Sequence, residues 1–210
     1  MDIQFRPARP DDVDVAVPLV YSSGPSAFDF VFSTDNDGSA LDFLRSAWLD
    51  GAGEFGYRNH VVGTLDDRIT AVGGGWSGKT GISFMAAGAR QIVSQYGLWG
   101  GVPVIFRGLR TEGVIPPPSA QQFYLGHLGV LPELQGKGIG KLLIAHLLES
   151  GAVQGFKIAA LDVAVTNDRG QALYERLGFH VNVERQSKLK NKFGQVANHR
   201  NMQIALKPEY

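Results

Sequence analysis

The chain of 210 residues contains no cysteine. Disulfides, thiolate metal sites and a cysteinyl acyl-enzyme are excluded together, and no metal site is expected. Net charge is also missing: 20 Lys+Arg offset 20 Asp+Glu, the formal charge is +0 at pH 7, and no block of like charge occurs. A general role on nucleic acid or on an anionic membrane is therefore not expected. Long hydrophobic runs are lacking as well. The uncharged stretch Gln91 to Phe106 is too short and too polar to span a bilayer. The start, Met1-Asp2-Ile3-Gln4-Phe5-Arg6, has no signal-peptide character, so the expected location is cytoplasmic. Internal repeats and low-complexity tracts are absent. The length suits a single domain, 1–210, with a substantial core.

What the chain does have is a glycine-rich turn opening a helix. Gln135-Gly136-Lys137-Gly138-Ile139-Gly140 runs into Lys141-Leu142-Leu143-Ile144-Ala145-His146-Leu147-Leu148, directly after the apolar strand Phe123 to Val130. Glycines let the backbone approach an anion and adopt positive φ, so that unpaired N–H groups at the helix start converge on it. The helix dipole adds attraction, and Lys137 and Lys141 add charge. The pattern reads as a phosphate site.

The rest of the chain alternates strands and helices. Ile3 to Arg6 alternates like a strand, and Arg9-Pro10-Asp11-Asp12 caps a helix carrying Val13, Val17 and Val20. A loop bearing Tyr21 to Pro25 leads to a helix over about Ser39 to Leu49, whose apolar face is formed by Leu41, Leu44, Trp48 and Leu49. Asn59 to Leu65 and Arg68 to Val72 flank Asp66-Asp67 as an antiparallel hairpin. An apolar helical insertion follows at about 77–120, with Ile82 to Tyr96 and Leu98 to Leu109 as its apolar stretches. Burial is expected for it, over the substrate side or against a second subunit in a homodimer. Later come a strand at Ile158 to Val165, a short helix after Asn167 ended by Gly178, and strands at Phe179 to Arg185 and Asn201 to Ala205.

Two segments together resemble the GNAT superfamily of acyl-coenzyme A-dependent N-acyltransferases. Gln135, Gly138 and Gly140 match its Q/R-x-x-G-x-G/A pyrophosphate loop, with Val130 and Pro132 as the preceding V-x-P. Asn167 to Phe179 matches its N-x-x-A-x-x-L-Y-E-x-x-G-F segment, except that Gly170 replaces the usual alanine. The resemblance implies an α/β (α+β) fold: a mixed, twisted β-sheet, splayed where two parallel strands diverge, with helices on both faces. It further implies that acetyl-coenzyme A is the co-substrate and that an acetyl group passes directly to a primary amine, the acceptor partner, in a ternary complex. The cofactor-binding residues it points to are Leu128, Gly129 and Val130 through the strand backbone, Gln135, Gly136, Lys137, Gly138, Ile139, Gly140 and Lys141 in the turn, and Asn167 and Tyr174.

Tyr174, at the L-Y-E position, is the catalytic acid that the resemblance implies, with packing as the alternative reading. Asn167 resembles the residue that holds the pantetheine arm and also reads as an N-cap. A backbone N–H from Leu128 to Val130 is the expected oxyanion partner. For the base, the candidates are His127, Tyr124 and Glu133, with a water relay or no base as alternatives. Strand alternation puts Tyr124, Gly126, Leu128 and Val130 on one face and Phe123, Leu125 and His127 on the other, so His127 is out of phase unless a bulge intervenes.

Two rival readings remain. Gly73-Gly74-Gly75-Trp76-Ser77-Gly78-Lys79-Thr80 fits the P-loop pattern G-x-x-x-x-G-K-[ST], and Asp162 ends a run suited to a magnesium-binding strand, so a P-loop nucleotide enzyme is the first alternative. A glycine-rich strand end explains the same residues. The second alternative is a non-catalytic acyl-coenzyme A sensor, which would lack an amine pocket.

Overall fold

The computed structural model describes residues 2–36 and 38–206, so Met1 and the end of the 1–210 domain reading lie outside the described residues. Seven strands form one mixed sheet: β1 (Gln4–Pro7), β2 (His60–Leu65), β3 (Arg68–Ser77), β4 (Gln122–Val130), β5 (Ile158–Ala164), β6 (His180–Arg185) and β7 (His199–Ala205). Their order is β1-β2-β3-β4-β5-β7-β6. Every neighbouring pair is antiparallel except β4 and β5. Those two pair only at Gln122↔Ile158, Phe123↔Ala159 and Tyr124↔Ala160, after which they separate. The splayed sheet is as the sequence predicts.

Helices cover both faces. On one, α1 (Val13–Ser22) buries Val13, Ala16, Val17, Leu19 and Val20 against Val62 and Val72 of the sheet. On the other, α5 (Ile139–Val153) buries Leu143, Ile144 and Leu147 against Ala71, Phe123 and Leu125. Asp12, itself buried, accepts 2.8 Å hydrogen bonds from the Arg6 guanidinium and a 2.7 Å bond from the Arg9 N–H, which fixes the entry to α1.

Three local expectations change. The segment read as a loop contains α2 (Pro25–Phe32), which starts with proline in the first turn, where the missing N–H costs nothing. In α3 (Ala40–Asp50), capped by Ser39, the buried residues are Ala40, Phe43, Leu44, Ala47 and Trp48, whereas Leu41 and Leu49 are exposed. The apolar stripe is thus centred on Phe43, one step round the helix from the predicted face. Finally, β3 continues through Gly73, Gly74 and Gly75 to Ser77.

That continuation removes the P-loop reading. Gly74 and Gly75 pair with Gly126 and Leu125 of β4 in an antiparallel ladder, so their backbone is committed to the sheet and cannot wrap a phosphate. Side chains on all three glycines would collide with neighbours: a Cβ would lie 2.9 Å from Leu128 at Gly73, 2.5 Å from Trp76 at Gly74 and 2.5 Å from Phe123 at Gly75. The Lys79 ammonium lies 5.6 Å from the Phe156 ring centre, and Asp162 is engaged by Tyr124 and Asn201.

The remaining helices are α4 (Gly81–Thr111) and α6 (Asp168–Arg176). α4 breaks at Gly97, whose φ of 69° and ψ of 176° are open to glycine at little cost. In the single chain Leu98, Trp99, Val102 and Phe106 in its second half are exposed. No single helix among the described residues is long and apolar enough to cross a membrane.

Candidate active site

A cavity of about 950 Å³ opens where β4 and β5 part, and it runs from the start of α5 to the broken helix α4. At the α5 end, Gly136 has φ 80° and Gly138, the N-cap of α5, has φ 88°. A Cβ on Gly138 would meet nothing within 4 Å, so this side of the turn is open to a ligand. Lys137 and Lys141 are exposed beside it. Gln135 folds back, donating through Nε2 to the Val130 carbonyl at 3.2 Å and accepting from Arg169 at 2.9 Å. The Arg169 guanidinium thereby sits over the turn, 3.2 Å from where a Gly136 Cβ would lie. It brings a third cation to the turn. Sequence reasoning missed Arg169 because its place depends on α6 packing against the turn.

Leu131 donates its N–H to Thr70 of β3 at 2.9 Å, so strand alternation turns the Val130 N–H away from β3, toward the side where β5 has left the sheet. On β5's continuation, Asn167 caps α6 by accepting from the Gly170 N–H at 2.9 Å. A Cβ on Gly170 would lie 2.7 Å from the Asn167 side chain, so glycine at this position lets the cap close tightly. Tyr174 lines the same cavity, its ring 6.0 Å from that of Phe179, and burial pushes its hydroxyl up to about 12. At neutral pH it is a proton donor.

At the middle of β4 the register slips: Val72 opposes Gly129, whereas Gly74 opposes Gly126. His127 occupies this bulge with φ 56°, a left-handed conformation costing a non-glycine residue on the order of 1–3 kcal/mol. The bulge reverses the predicted alternation beyond it. Leu128 and Val130 join Phe123 and Leu125 on the α5 side, and His127 lies with Tyr124 on the face where it packs on Trp76, Phe55 and His60. The out-of-phase histidine therefore reaches the cavity.

Its hydrogen bonds assign its protons. His60 Nδ1 lies 2.9 Å from the Gly56 carbonyl, which only accepts, so Nδ1 carries the hydrogen. Complete burial drives the His60 pKa down to about 3, with His127 adding repulsion, so the ring is neutral and its Nε2 is a bare acceptor. That nitrogen lies 3.0 Å from His127 Nδ1, which must donate to it. His127 is left with Nε2 as its basic atom, 3.5 Å from a carboxylate oxygen of Glu54. The other base candidates fare differently. Tyr124 is partly buried and donates to Asp162 at 3.1 Å, and burial holds its pKa well above the ordinary value. Glu133 is exposed and paired with Arg68 at 2.7 Å.

Asp162, also on the cavity wall, accepts from Tyr124 and from Asn201 at 3.2 Å, and its pKa is raised by burial. Its second oxygen lies 3.7 Å from Arg185 and makes no hydrogen bond.

Residues 96–179 match the family described as Acetyltransferase (GNAT) family. Over 56 residues the chain is 36% identical to the [ribosomal protein bS18]-alanine N-acetyltransferase of Salmonella typhimurium, covering 27% of this chain and 38% of that one. The segments it shares with curated relatives span well under half of their length. Among solved structures, an N-acetyltransferase from Staphylococcus aureus Mu50 superposes with a TM-score of 0.67 at 17% identity, covering 96% of this chain and 100% of that one. The yncA protein of Salmonella typhimurium, solved with its cofactor acetyl-CoA, gives 0.55 at 16% identity, covering 100% and 97%. The motif residues, the single parallel strand pair that splays and the glycine turn at its mouth agree with these matches: residues 96–179 match the GNAT acetyltransferase family, and the described residues share the fold of these solved acetyltransferases.

Proposed function

We propose that this protein is an N-acetyltransferase that moves an acetyl group from acetyl-coenzyme A to a primary amine within a ternary complex. The observation that carries the proposal is the continuity of two half-sites. One cavity joins an open, triply cationic helix start to a histidine whose free nitrogen faces it. The residues at the first half-site suit a pyrophosphate: N–H groups unpaired at the start of α5, an open face at Gly138 and the cations Lys137, Lys141 and Arg169. When bound, acetyl-coenzyme A supplies an activated thioester.

The chain's own groups then have distinct tasks. Asn167 and the strand backbone from Leu128 to Val130 hold the arm, and the Val130 N–H stabilises negative charge on a carbonyl oxygen. Glu54 attracts the acceptor as its ammonium, and His127 Nε2 takes the proton that must leave before nitrogen can attack. Proton uptake turns the 3.5 Å contact between His127 and Glu54 into an ion pair, which favours the transfer. Tyr174 donates to the departing sulfur. A sensor would need no second chamber beside the thioester, so the cavity favours catalysis over the sensor reading.

The bS18 relative's name indicates an alanine amine as its acceptor. For this chain the acceptor is read from the cavity below. The test is direct: calorimetry with acetyl-coenzyme A, followed by coenzyme A release in the presence of amines. With no cysteine in the chain, a thiol reagent reads the released coenzyme alone. Binding with amine-dependent release supports the proposal, and binding without release from any amine would favour the sensor.

A further inference from the structure

Resting on the acetyltransferase reading, we infer that the acceptor is a primary amine carried on an uncharged apolar body, and that acidic acceptors are rejected. The cavity beyond His127 is roofed by both halves of α4, which the break at Gly97 folds over the same space. The first half turns one helical stripe inward, Phe84, Met85, Gly88, Ala89 and Ile92, and the second contributes Ile105, Gly108 and Leu109. Phe28 and Phe55 close the opposite wall. Apart from hydroxyls near the rim, this is a surface for hydrocarbon or aromatic groups.

Charge is divided along the cavity. Its basic wall residues, Lys141, Arg169 and Arg176, all lie on α5 and α6, at the coenzyme end. The acceptor end has Glu54 and Glu112 and, among the described residues, no lysine or arginine. A carboxylate-bearing acceptor would face repulsion with no cation to offset it, whereas an ammonium finds Glu54 beside His127. The apolar roof also favours the neutral, nucleophilic form of an amine once it has entered.

Gly88 supplies the means to test this. It lies on the inward stripe, its missing side chain would meet nothing within 4 Å, and the helix there gains from replacing glycine. Gly88→Leu should therefore fold and fill part of the chamber. With the full chain and acetyl-coenzyme A, kcat/KM is measured for 2-phenylethylamine, ethylamine, putrescine and glutamate. The expected result is that 2-phenylethylamine is preferred over putrescine by about tenfold or more and glutamate is not acetylated. Gly88→Leu should then lower kcat/KM for 2-phenylethylamine by about tenfold and for ethylamine by less. Preference for putrescine or glutamate, or a Gly88→Leu variant with unchanged activity on 2-phenylethylamine, would overturn the inference. Acetyl-coenzyme A binding with no acetylation of the panel would overturn it too and leave the enzyme reading standing. Absence of acetyl-coenzyme A binding would overturn both.

Discussion

His60 and His127, 67 positions apart, share a 3.0 Å hydrogen bond in which the buried, neutral ring of His60 fixes which nitrogen of His127 is free. The pair resembles other arrangements in which one group holds a histidine tautomer for its neighbour. His60 is here a positioning residue, sealed between Trp48 and His127 and out of reach of an acceptor.

Replacing His127 with glutamine is expected to leave acetyl-coenzyme A affinity unchanged and to lower kcat by ~10² to 10⁴, the usual range for a lost general base. Calorimetry beside steady-state kinetics checks this, and an unchanged kcat would leave His127 a packing role on Phe55 and Trp76.

His60 should make folding sensitive to acid. Its native pKa is pushed down to about 3, whereas in the unfolded chain it lies near ~6.5. Below that value the unfolded state binds a proton that the native state refuses. The stability that His60 contributes is complete above pH ~6.5 and is lost as pH falls toward 3, at no more than about 1.4 kcal/mol per unit. Urea melts from pH 7 to 5 should show His60→Gln flattening this dependence. Equal slopes for both proteins would remove burial of a neutral His60 as its cause.

Tyr174→Phe is expected to retain acetyl-coenzyme A binding, because the ring still packs near Phe179, and to slow the chemical step. A thiolate leaves readily, so the loss should sit at or below ~10²-fold. Single-turnover rates separate chemistry from product release, and equal rates for the two proteins would strike Tyr174 from the catalytic groups.

Gly138→Asp should abolish coenzyme A binding. A side chain at φ 88° is strained by roughly 1–3 kcal/mol and a carboxylate there repels phosphate. Lys79→Ala, by contrast, should leave coenzyme A affinity intact and change stability by no more than ~0.5 kcal/mol. Circular dichroism and a cooperative melt establish folding first. Retained affinity in folded Gly138→Asp would remove the glycine turn from the coenzyme site.

The individual strands, the α5 turn and the Asn167 cap were legible because each is local: alternation, glycine spacing and a cap are written within a dozen residues, whereas the splayed sheet was implied by the resemblance. The position of His127 was not. Its bulge answers to the Gly73 region of a different strand, where Leu128 fills the space a side chain would take, and nothing near His127 in sequence records that. His60 and Glu54 were overlooked for the same reason, since their relation to His127 exists only once β2 and β3 have folded against β4. Helix α2 was hidden by Gly24-Pro25, which reads as a turn yet serves to start a helix. The P-loop string erred in the opposite sense: its glycines are required by packing.

The three residue pairs that join β4 to β5 are the whole backbone ladder between one set of strands, β1 to β4, and the other, β5 to β7, while the core under α5 bridges both sets on one face. The two leaves, joined at that ladder and along α5, form a pair of jaws, with the ladder at Gln122–Tyr124 as the pivot and the cavity as the gape. A molecule lodged in the gape touches both leaves and ties them together far from the pivot. Occupancy will therefore register as slowed hydrogen exchange across both half-sheets, including at strands such as β6 that no ligand touches.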